Sequence, residues 1–247
     1  MAERGVTAAG HPLSAEAGQR AYELGGNAAD AAVAAMLASF VAEPLLTGLG
    51  AGGLMTIAEP DGNATCLDFF VEAPGRGADH SARADLLPWQ VDFGDATQVF
   101  NAGPASVGTY GNPAGVAEAS RRFGRLPLDQ LASHAAGLAR DGVVVTGEMA
   151  YLFSILSGII TGSPESAAIF APGGKLLVEG DLLVQPELGD ALDLLGAEGA
   201  DPFYSGALGS AVAAWLADRG GLVTSEDLAA YEVVEREPLA TPYRGRE

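Results

Sequence analysis

Helical patterns of apolar residues occupy most of the chain, and proline, glycine and hydroxyl residues separate them. Ser14 is predicted to cap a first helix that ends at Gly25-Gly26. Asn27 is predicted to cap a second helix over about 28–42, with Asp30 binding free amides of its first turn. Because this second helix is alanine-rich and nearly uncharged, we expect it to be buried on most sides.

Two strand-like runs follow, Gly53–Ala58 and Ala64–Val71, and the turn residues between them predict a hairpin. In the second run alternate residues share a face, with Leu67, Phe69 and Val71 on one side and Cys66, Asp68 and Phe70 on the other. We expect the stretch 74–98 to be polar and irregular, with Trp89 packing it down. A short strand is expected over 105–110.

The remainder of the chain predicts helices and then two more strands. The helices are expected at Asn112 to Gly124, Pro127 to Gly142, Glu148–Leu156, Pro164–Phe170, Pro186–Leu195, Ala207–Ala217 and Thr224 to Tyr231. Strand-like segments cover Glu232–Arg236 and Leu239–Tyr243. Strands grouped at the start and the finish favour an α+β fold over strictly alternating βαβ units. No repeat or long linker divides the chain, so we expect residues 1–247 to form a single domain.

Composition narrows the classes of function. The 247 residues are 48% hydrophobic, which suffices for a sizeable core, and 13 Lys+Arg against 32 Asp+Glu give a net charge of −19. Such an acidic surface repels phosphate backbones and anionic lipids, so we expect neither nucleic-acid nor membrane binding. The start of the chain has no apolar run typical of a secretory signal, which predicts a cytoplasmic location, or a periplasmic or secreted one if the start is processed.

The residues that could carry chemistry are few. The chain has one cysteine, Cys66, which excludes an intrachain disulfide framework and any cysteine-based zinc cluster. It has three histidines, His11, His80 and His134. The glycine loop from Thr47 to Gly53 follows a helix and precedes a strand, so we interpret it as close backbone packing rather than a phosphate site. We expect no metal and no cofactor.

The candidate carboxylates also favour structural roles. Asp30 fits a helix cap better than a catalytic group. Asp68 and Glu72 lie four residues apart on a strand, too far for a shared proton. Cys66 is expected to be a buried apolar residue, and the sequence assembles no Ser/Cys–His–Asp arrangement around any histidine, although Ser133 directly precedes His134. The residues alone therefore assemble no complete active site, and we predict no catalytic residue in this chain.

Several segments nevertheless resemble, in order, segments of one known family, the gamma-glutamyltranspeptidases. Residues 21–32 (AYELGGNAADAA) are similar to its GGNAxDAA segment, and residues 43–53 (EPLLTGLGAGG) to its EP…SGIGGGG loop. Residues 106–117 (SVGTYGNPAGVA) are similar to SVGVPGxVAG, and residues 124–127 (GRLP) continue that match. Residues 201–206 (DPFYSG), 220–228 (GGLVTSEDL) and 231–245 (YEVVEREPLATPYRG) resemble DxFYxG, GGxxTxxDL and the Y…REPL…YRG end of the same region.

The resemblance implies an N-terminal-nucleophile hydrolase, built as a four-layer αββα sandwich and made as a proenzyme. Self-cleavage would expose a threonine whose free amine is the base for its own hydroxyl. That threonine and most substrate-binding residues belong to the family's small subunit. This chain therefore resembles the N-terminal part of the large subunit, an incomplete sandwich expected to be inactive alone. The expected partners are the small-subunit portion of the same proenzyme and a small amide or gamma-glutamyl substrate, with water or an amine as acceptor.

One departure from the family bears on specificity. The family carries RExAP after the second strand, and its arginine binds the α-carboxylate of the substrate. Here residues 69–74 read FFVEAP, which puts Phe70 at the arginine position. A phenyl ring cannot replace a bidentate arginine–carboxylate contact, so we expect an altered acyl specificity. Arg76 lies close by and would restore glutamyl binding if it took over the role. The alternative function is a non-catalytic remnant that acts as a binding or scaffold module.

Overall fold

The computed structural model describes residues 5–77, 85–242 and 244. The described helices are α1 Pro12–Glu23, α2 Ala28–Ala42, α3 Asn112–Phe123, α4 Leu128–Asp141, α5 Gly147–Ile155, α6 Ser157–Ile160, α7 Pro164–Phe170, α8 Pro186–Glu198, α9 Asp201–Tyr204, α10 Ala207–Ala217 and α11 Ser225–Ala229. The described strands are β1 Gly53–Ala58, β2 Ala64–Phe69, β3 Leu87–Asp92, β4 Thr97–Ala102, β5 Val143–Val144, β6 Leu182–Leu183 and β7 Val234–Arg236.

The first helix begins earlier than the sequence predicts. His11 is the N-cap, because its Nδ1 accepts a hydrogen bond from the Leu13 N–H at 3.2 Å, and Pro12 occupies the first helical position. Proline is favoured there because its missing N–H has no helical partner to lose. The predicted cap Ser14 lies inside the helix, fully buried, where its hydroxyl donates to Glu43 Oε2 at 3.0 Å. The predicted end of the helix before Gly25 is confirmed.

Helix α2 has the predicted bounds and the predicted cap. Asn27 and Asp30 form a reciprocal capping box, and Val33, Leu37 and Val41 have no exposed surface. Helices α1, α2, α4 and α8 pack on one another to form the main core. Burial of α2 on most sides explains why its sequence carries almost no charge.

The sheet that matters for the site has three strands in the order β1-β2-β7. Strands β1 and β2 form the predicted antiparallel hairpin, with Gly53 opposite Phe69 and Ala58 opposite Ala64. Strand β7 pairs antiparallel with the other side of β2. Leu67 and Phe69 are buried against the helices, whereas Leu54 and Val234 on the opposite face are 60% and 42% exposed. Helices therefore cover one face of this sheet among the described residues.

The prediction of an irregular structure over residues 74–98 is wrong for the second half of that stretch. Strands β3 and β4 form an antiparallel hairpin, turned by Gly94, which has a φ of +92°. Leu87, Trp89, Val91 and Phe93 recur at every second position, a strand pattern that the sequence prediction overlooked, although Val91 is the only fully buried residue of β3. Trp89 does pack this region down, because a Cβ on Gly158 of α6 would come within 2.7 Å of its ring.

Two other predicted strands are absent from the described residues. Within the stretch 105–110, residues 105 and 106 belong to a 3₁₀ turn at Pro104–Ser106, and Thr109 makes an isolated bridge with Glu72. Proline at 104 has no N–H to donate to a strand partner, which favours the turn. Residues 239–242 have no strand pairing, and Tyr243 lies outside the described residues.

A smaller hydrophobic cluster lies apart from the main core. It is formed by seven buried residues from α5, α6, α7 and their flanking strands: Val145, Met149, Phe153, Ile160, Phe170, Leu177 and Leu183. The helices predicted at α3, α4, α5, α7, α8, α10 and α11 are all present. The α+β class is thus confirmed. No helix among the described residues is both long enough and apolar enough to cross a bilayer.

Candidate functional site

The chain leaves strand β2 into residues 70–77, here named the exit segment. Phe70 is its first residue, and its side chain is 57% exposed. The Phe70 N–H donates to Asp68 Oδ1 at 3.0 Å, and the Phe70 carbonyl accepts from the Tyr231 hydroxyl at 2.8 Å. Both backbone polar groups of Phe70 are therefore held, while its ring faces outward.

Asp68 supports this arrangement from within β2. The Phe70 N–H and the Arg236 side chain, whose Nε lies 2.5 Å from Asp68 Oδ2, hold the pKa of this carboxyl below its usual value, although burial acts in the opposite direction. Glu72 faces a different cation, since its Oε2 lies 3.0 Å from Arg76 Nη1. Asp68 and Glu72, which the sequence analysis considered as a carboxylate pair, are therefore each paired with a different arginine.

Arg76 has a firmly held backbone and an exposed side chain. Its N–H donates to Asp227 Oδ1 at 2.8 Å, and its carbonyl accepts from Thr224 Oγ1 at 2.6 Å. The guanidinium is 48% exposed and pairs with Glu72, which is 36% exposed. An exposed pair of this kind contributes little to stability, so breaking it to bind an anion costs little.

Asp227 is the centre of this anchorage. It forms a capping box with Thr224 at the start of α11, and its carboxylate also accepts from the Gly75 N–H at 3.0 Å. The side chain is fully buried. Burial raises the pKa of Asp227, but hydrogen bonds from Gly75, Arg76 and Thr224 outweigh burial and lower that pKa overall.

Three tyrosines form an aromatic cluster beside the exit segment, in which Tyr204 stacks on Tyr231 and is tilted against Tyr110. The Tyr204 ring lies 5.5 Å from Tyr110 and 5.4 Å from Tyr231, centroid to centroid. The Tyr110 hydroxyl donates to the Phe203 carbonyl at 2.5 Å, and the Tyr204 hydroxyl to the Tyr110 carbonyl at 3.1 Å. Burial raises the pKa of Tyr110 to about 12 and, together with nearby Glu72 and Asp68, raises the pKa of Tyr231. All three phenols are neutral hydrogen-bond donors near neutral pH.

The glycine loop borders the same segment, and its predicted structural role is confirmed. A Cβ on Gly52 would come within 2.6 Å of the Val71 nitrogen and 2.7 Å of the Phe69 carbonyl oxygen. Gly48 and Gly50 face open space instead. The Ala51 carbonyl accepts the N–H groups of both Gly111 and Asn112, at 2.9 and 3.0 Å. The loop is thus a close backbone crossing.

The remaining candidate residues have structural positions. Asp30 is a buried cap, as predicted, and Cys66 is buried in β2, as predicted. Burial, and then Arg20, lower the pKa of His134 in α4, while Glu16 acts in the opposite direction. His80 lies outside the described residues. Within the described ranges, no group of three or more His, Cys, Asp or Glu residues is arranged to hold a metal ion.

An apolar cavity of about 490 Å³ lies on the other side of the glycine loop. Leu49, Gly50 and Tyr110 line it, together with Trp215 and Leu216 of α10. The Tyr110 hydroxyl is engaged with Phe203, so no lining residue offers a free reactive group. The chemistry-bearing side chains lie instead on the exit segment and β2.

Sequence reasoning identified Phe70 and Arg76 but missed what holds them. Thr224 and Asp227 were recognised only as a local helix cap, and Tyr231 only as part of a motif. Their contacts with the exit segment join residues 148 to 161 positions apart, which no local pattern can show. The available signal was the recurrence of all three residues in segments that resemble one family.

Comparison with known proteins decides the family. A family model described as Gamma-glutamyltranspeptidase matches residues 14–247. The chain belongs to the gamma-glutamyltranspeptidase family. It is 39% identical over 246 residues to the Acylase ACY 1 proenzyme of Pseudomonas sp. (strain SE83), covering 99% of this chain and 44% of that protein. It is 36% identical to the Glutathione hydrolase proenzyme of Escherichia coli (strain K12), covering 99% of this chain and 41% of that protein.

Solved structures of gamma-glutamyltranspeptidases and related acylases have the same fold over nearly the whole chain. Gamma-glutamyltranspeptidase of Helicobacter pylori matches with a TM-score of 0.85 and 31% identity, over 98% of this chain and 68% of that one. The cephalosporin acylase of Bacillus halodurans matches with a TM-score of 0.80 and 27% identity, over 98% of this chain and 46% of that one. These matches confirm the expected α+β class of an N-terminal-nucleophile hydrolase. The chain spans less than half the length of its curated relatives.

Proposed function

We propose that this chain is the acyl-donor-binding part of an amide hydrolase and acyltransferase, and that residues 1–247 act in it as one domain. The observation that carries the proposal is the exit segment, which presents Phe70 and Arg76 from a rigidly held backbone. Binding sites placed on firmly held backbone lose little entropy when a ligand binds. The exit segment also occupies the position where the family carries its substrate-binding arginine.

The nucleophile in this proposal is a threonine outside the present sequence, exposed by self-cleavage of a proenzyme. Its free amine takes the proton from its own hydroxyl, which attacks the amide carbonyl and expels the amine, and water or an acceptor amine then resolves the acyl-enzyme. Two similar relatives are named proenzymes, and this chain spans 44% and 41% of them. These facts support a proenzyme in which this chain binds the acyl donor and the remaining portion supplies the nucleophile.

The remaining portion of the same proenzyme is the proposed partner of this chain. The face of the β1-β2-β7 sheet that carries Leu54 and Val234 has no covering layer among the described residues. Exposed apolar side chains on the second face of a sheet are typically buried by another layer of structure. A second sheet from the rest of the proenzyme would supply that layer and complete the four-layer sandwich.

We further propose that the donor carries an apolar acyl group rather than a gamma-glutamyl group. Phe70 is held with its ring exposed, so it offers an apolar contact at the position of the family's arginine. The similarity to two proenzymes named acylases, at 39% and 38% identity against 36% for the glutathione hydrolase of Escherichia coli, is compatible with a donor other than a gamma-glutamyl one. Arg76 is the competing determinant, because its exposed pair with Glu72 is easily opened toward a carboxylate.

The test is steady-state kinetics of the complete protein with a gamma-glutamyl anilide and an aliphatic acyl anilide. We expect kcat/KM to be at least about tenfold higher for the aliphatic donor, since a missing arginine–carboxylate contact costs about that much. Arg76→Ala is expected to leave the ratio unchanged. Arg121→Ala is the matched control, because Arg121 has a similar exposed pair, with Glu118 at 2.9 Å, on the surface of α3.

Two results contradict the proposal in different ways. A preference for the gamma-glutamyl donor that Arg76→Ala abolishes and Arg121→Ala preserves would assign glutamyl specificity to Arg76. A complete protein that neither cleaves itself nor hydrolyses any anilide would favour the non-catalytic scaffold.

A further inference from the structure

We propose that Tyr231 and Asp227 are positioning residues, which set the direction in which the exit segment presents Phe70 and Arg76 to the acyl donor. The inference rests on the proposed function and deepens it. Neither side chain is proposed to touch the substrate. Both act through the backbone of residues 70–77.

The first contact is at the start of the exit segment. The Tyr231 hydroxyl donates to the Phe70 carbonyl at 2.8 Å, and the ring stacks on Tyr204 with an interplanar angle of 15°. A Cβ on Gly111 would come within 2.0 Å of the Tyr231 hydroxyl, so the phenol is also confined from that side. The stacking on Tyr204 and the close approach of Gly111 restrict the Tyr231 hydroxyl to one position, and its hydrogen bond therefore fixes the position of the Phe70 carbonyl.

The second contact is near the end of the segment. Asp227 accepts the Gly75 and Arg76 N–H groups at 3.0 and 2.8 Å, and Thr224 donates to the Arg76 carbonyl at 2.6 Å. Gly75 and Gly77 have φ values of +130° and +69°, conformations that need glycine and that an unheld loop would exchange freely. The carboxylate fixes the backbone at the point where the chain is otherwise most permissive.

Between these two contacts the segment is crossed by the glycine loop, where a Cβ on Gly52 would come within 2.6 Å of the Val71 nitrogen. It pairs with the rest of the molecule at the bridge between Glu72 and Thr109, at 3.0 and 2.9 Å. Phe70 and Arg76 thus lie beside the two ends of one short span that residues 224–231 hold at both ends. A shift of α11 and of Tyr231 after it would therefore move Phe70 and Arg76 together.

The chain offers a matched control for each contact. Tyr110 also contacts the Tyr204 ring, at 5.5 Å between centroids and a tilt of 41°, but its hydroxyl donates to the Phe203 carbonyl rather than to the exit segment. Asp30 is a buried capping-box carboxylate like Asp227, but it accepts the Arg125 and Leu126 N–H groups. Removing the same chemical group at Tyr110 or Asp30 separates positioning from general stability.

The first readout is hydrogen exchange of the complete protein, followed by mass spectrometry of peptides that cover residues 68–77. We expect Asp227→Asn and Tyr231→Phe to speed exchange in these peptides about tenfold, since each variant weakens a hydrogen bond that holds the segment. Asp30→Asn and Tyr110→Phe are expected to leave them unchanged. Unchanged exchange in Tyr231→Phe, which keeps the ring and the fold, would overturn the proposal.

The second readout is kinetics on the donor that the wild-type protein prefers. We expect Tyr231→Phe to raise KM about tenfold with kcat within about twofold, because a misplaced binding group weakens binding of donor more than chemistry by a remote nucleophile. Tyr110→Phe is expected to leave KM unchanged. Equal effects of the two variants would overturn the positioning role. A wild-type protein without activity removes the proposed function and this role with it, while the exchange data still decide whether the segment is held.

Discussion

Two capping boxes in this protein use the same chemistry for different ends. Asn27 with Asp30 begins α2, and Thr224 with Asp227 begins α11, each with the reciprocal hydrogen bonds of the motif. Both carboxylates are fully buried, and both accept amides from a distant part of the chain. Asp30 holds the connection between α3 and α4 inside the helical core. Asp227 holds the exit segment at the candidate site.

The difference lies in what each box restrains. The α2 box restrains the connection between the long helices α3 and α4, where Asp30 accepts the Arg125 N–H. Asn27 Nδ2 also donates to the Phe123 carbonyl at 2.7 Å. The α11 box belongs to a helix of five residues and restrains a segment that has no regular structure. The same capping motif can therefore stabilise the packing of the core or hold a segment of the candidate site. Which of the two it does depends on the distant N–H groups that its carboxylate accepts.

The largest effect is expected from Asp30→Ala. It removes the acceptor of the Asn27, Arg125 and Leu126 N–H groups at the start of α2, a central helix of the main core, which should cost about 3–4 kcal/mol of the free energy of unfolding. Denaturant unfolding followed by circular dichroism measures the loss. A cost no greater than that of Asp227→Ala would show that the two boxes do not differ as described.

Gly52→Ala is expected to come next, at about 2–3 kcal/mol. The added methyl meets backbone atoms of Phe69 and Val71, which cannot move without disturbing the end of β2. Gly50→Ala is the matched control, since nothing lies within 4 Å of its Cβ position. Thermal melts of both variants compare them directly, and an equal loss would contradict the close crossing.

Asp227→Ala is expected to cost about 2 kcal/mol, less than the same change at Asp30. The exit segment lies at the surface, where water can replace the lost acceptor for Gly75 and Arg76. Denaturant unfolding gives the cost, and hydrogen exchange should place the loosening in residues 70–77. Loosening spread evenly over the helical core would contradict a local role.

The smallest effect concerns pH. Because hydrogen bonds lower the pKa of Asp227 in the folded protein below its ordinary value of 3.8, its stabilisation is present above that value and is lost as pH falls through the folded pKa. The stability difference between wild type and Asp227→Asn should therefore shrink from about pH 6 to about pH 2. Paired melts across this range measure it, and a difference that grows toward acid would reverse the sign.

Local signals predicted much of this fold. The Asn27 cap and the uncharged, alanine-rich run after it predicted the bounds of α2, and the Asp61-Gly62 turn predicted the β1–β2 hairpin. The β3–β4 hairpin was overlooked although Leu87, Trp89 and Val91 alternate with the period of a strand, because Pro88 and the polar residues around this surface ribbon weaken the pattern. The amide partner of Asp227 at the candidate site lies 152 positions away in sequence, and that of Asp30 in the core lies 95 positions away. Such contacts follow from packing of the whole chain, which no short pattern encodes.

The most direct test of the account is the effect of Phe70→Arg on donor preference in the complete protein, with Phe70→Leu as the control. The account predicts that Phe70→Arg shifts the kcat/KM ratio toward the gamma-glutamyl anilide by about tenfold or more, because a held backbone presents the new guanidinium to the α-carboxylate. Phe70→Leu should keep the preference for the aliphatic donor. An unchanged ratio in Phe70→Arg would contradict the claim that the exit segment selects the acyl group.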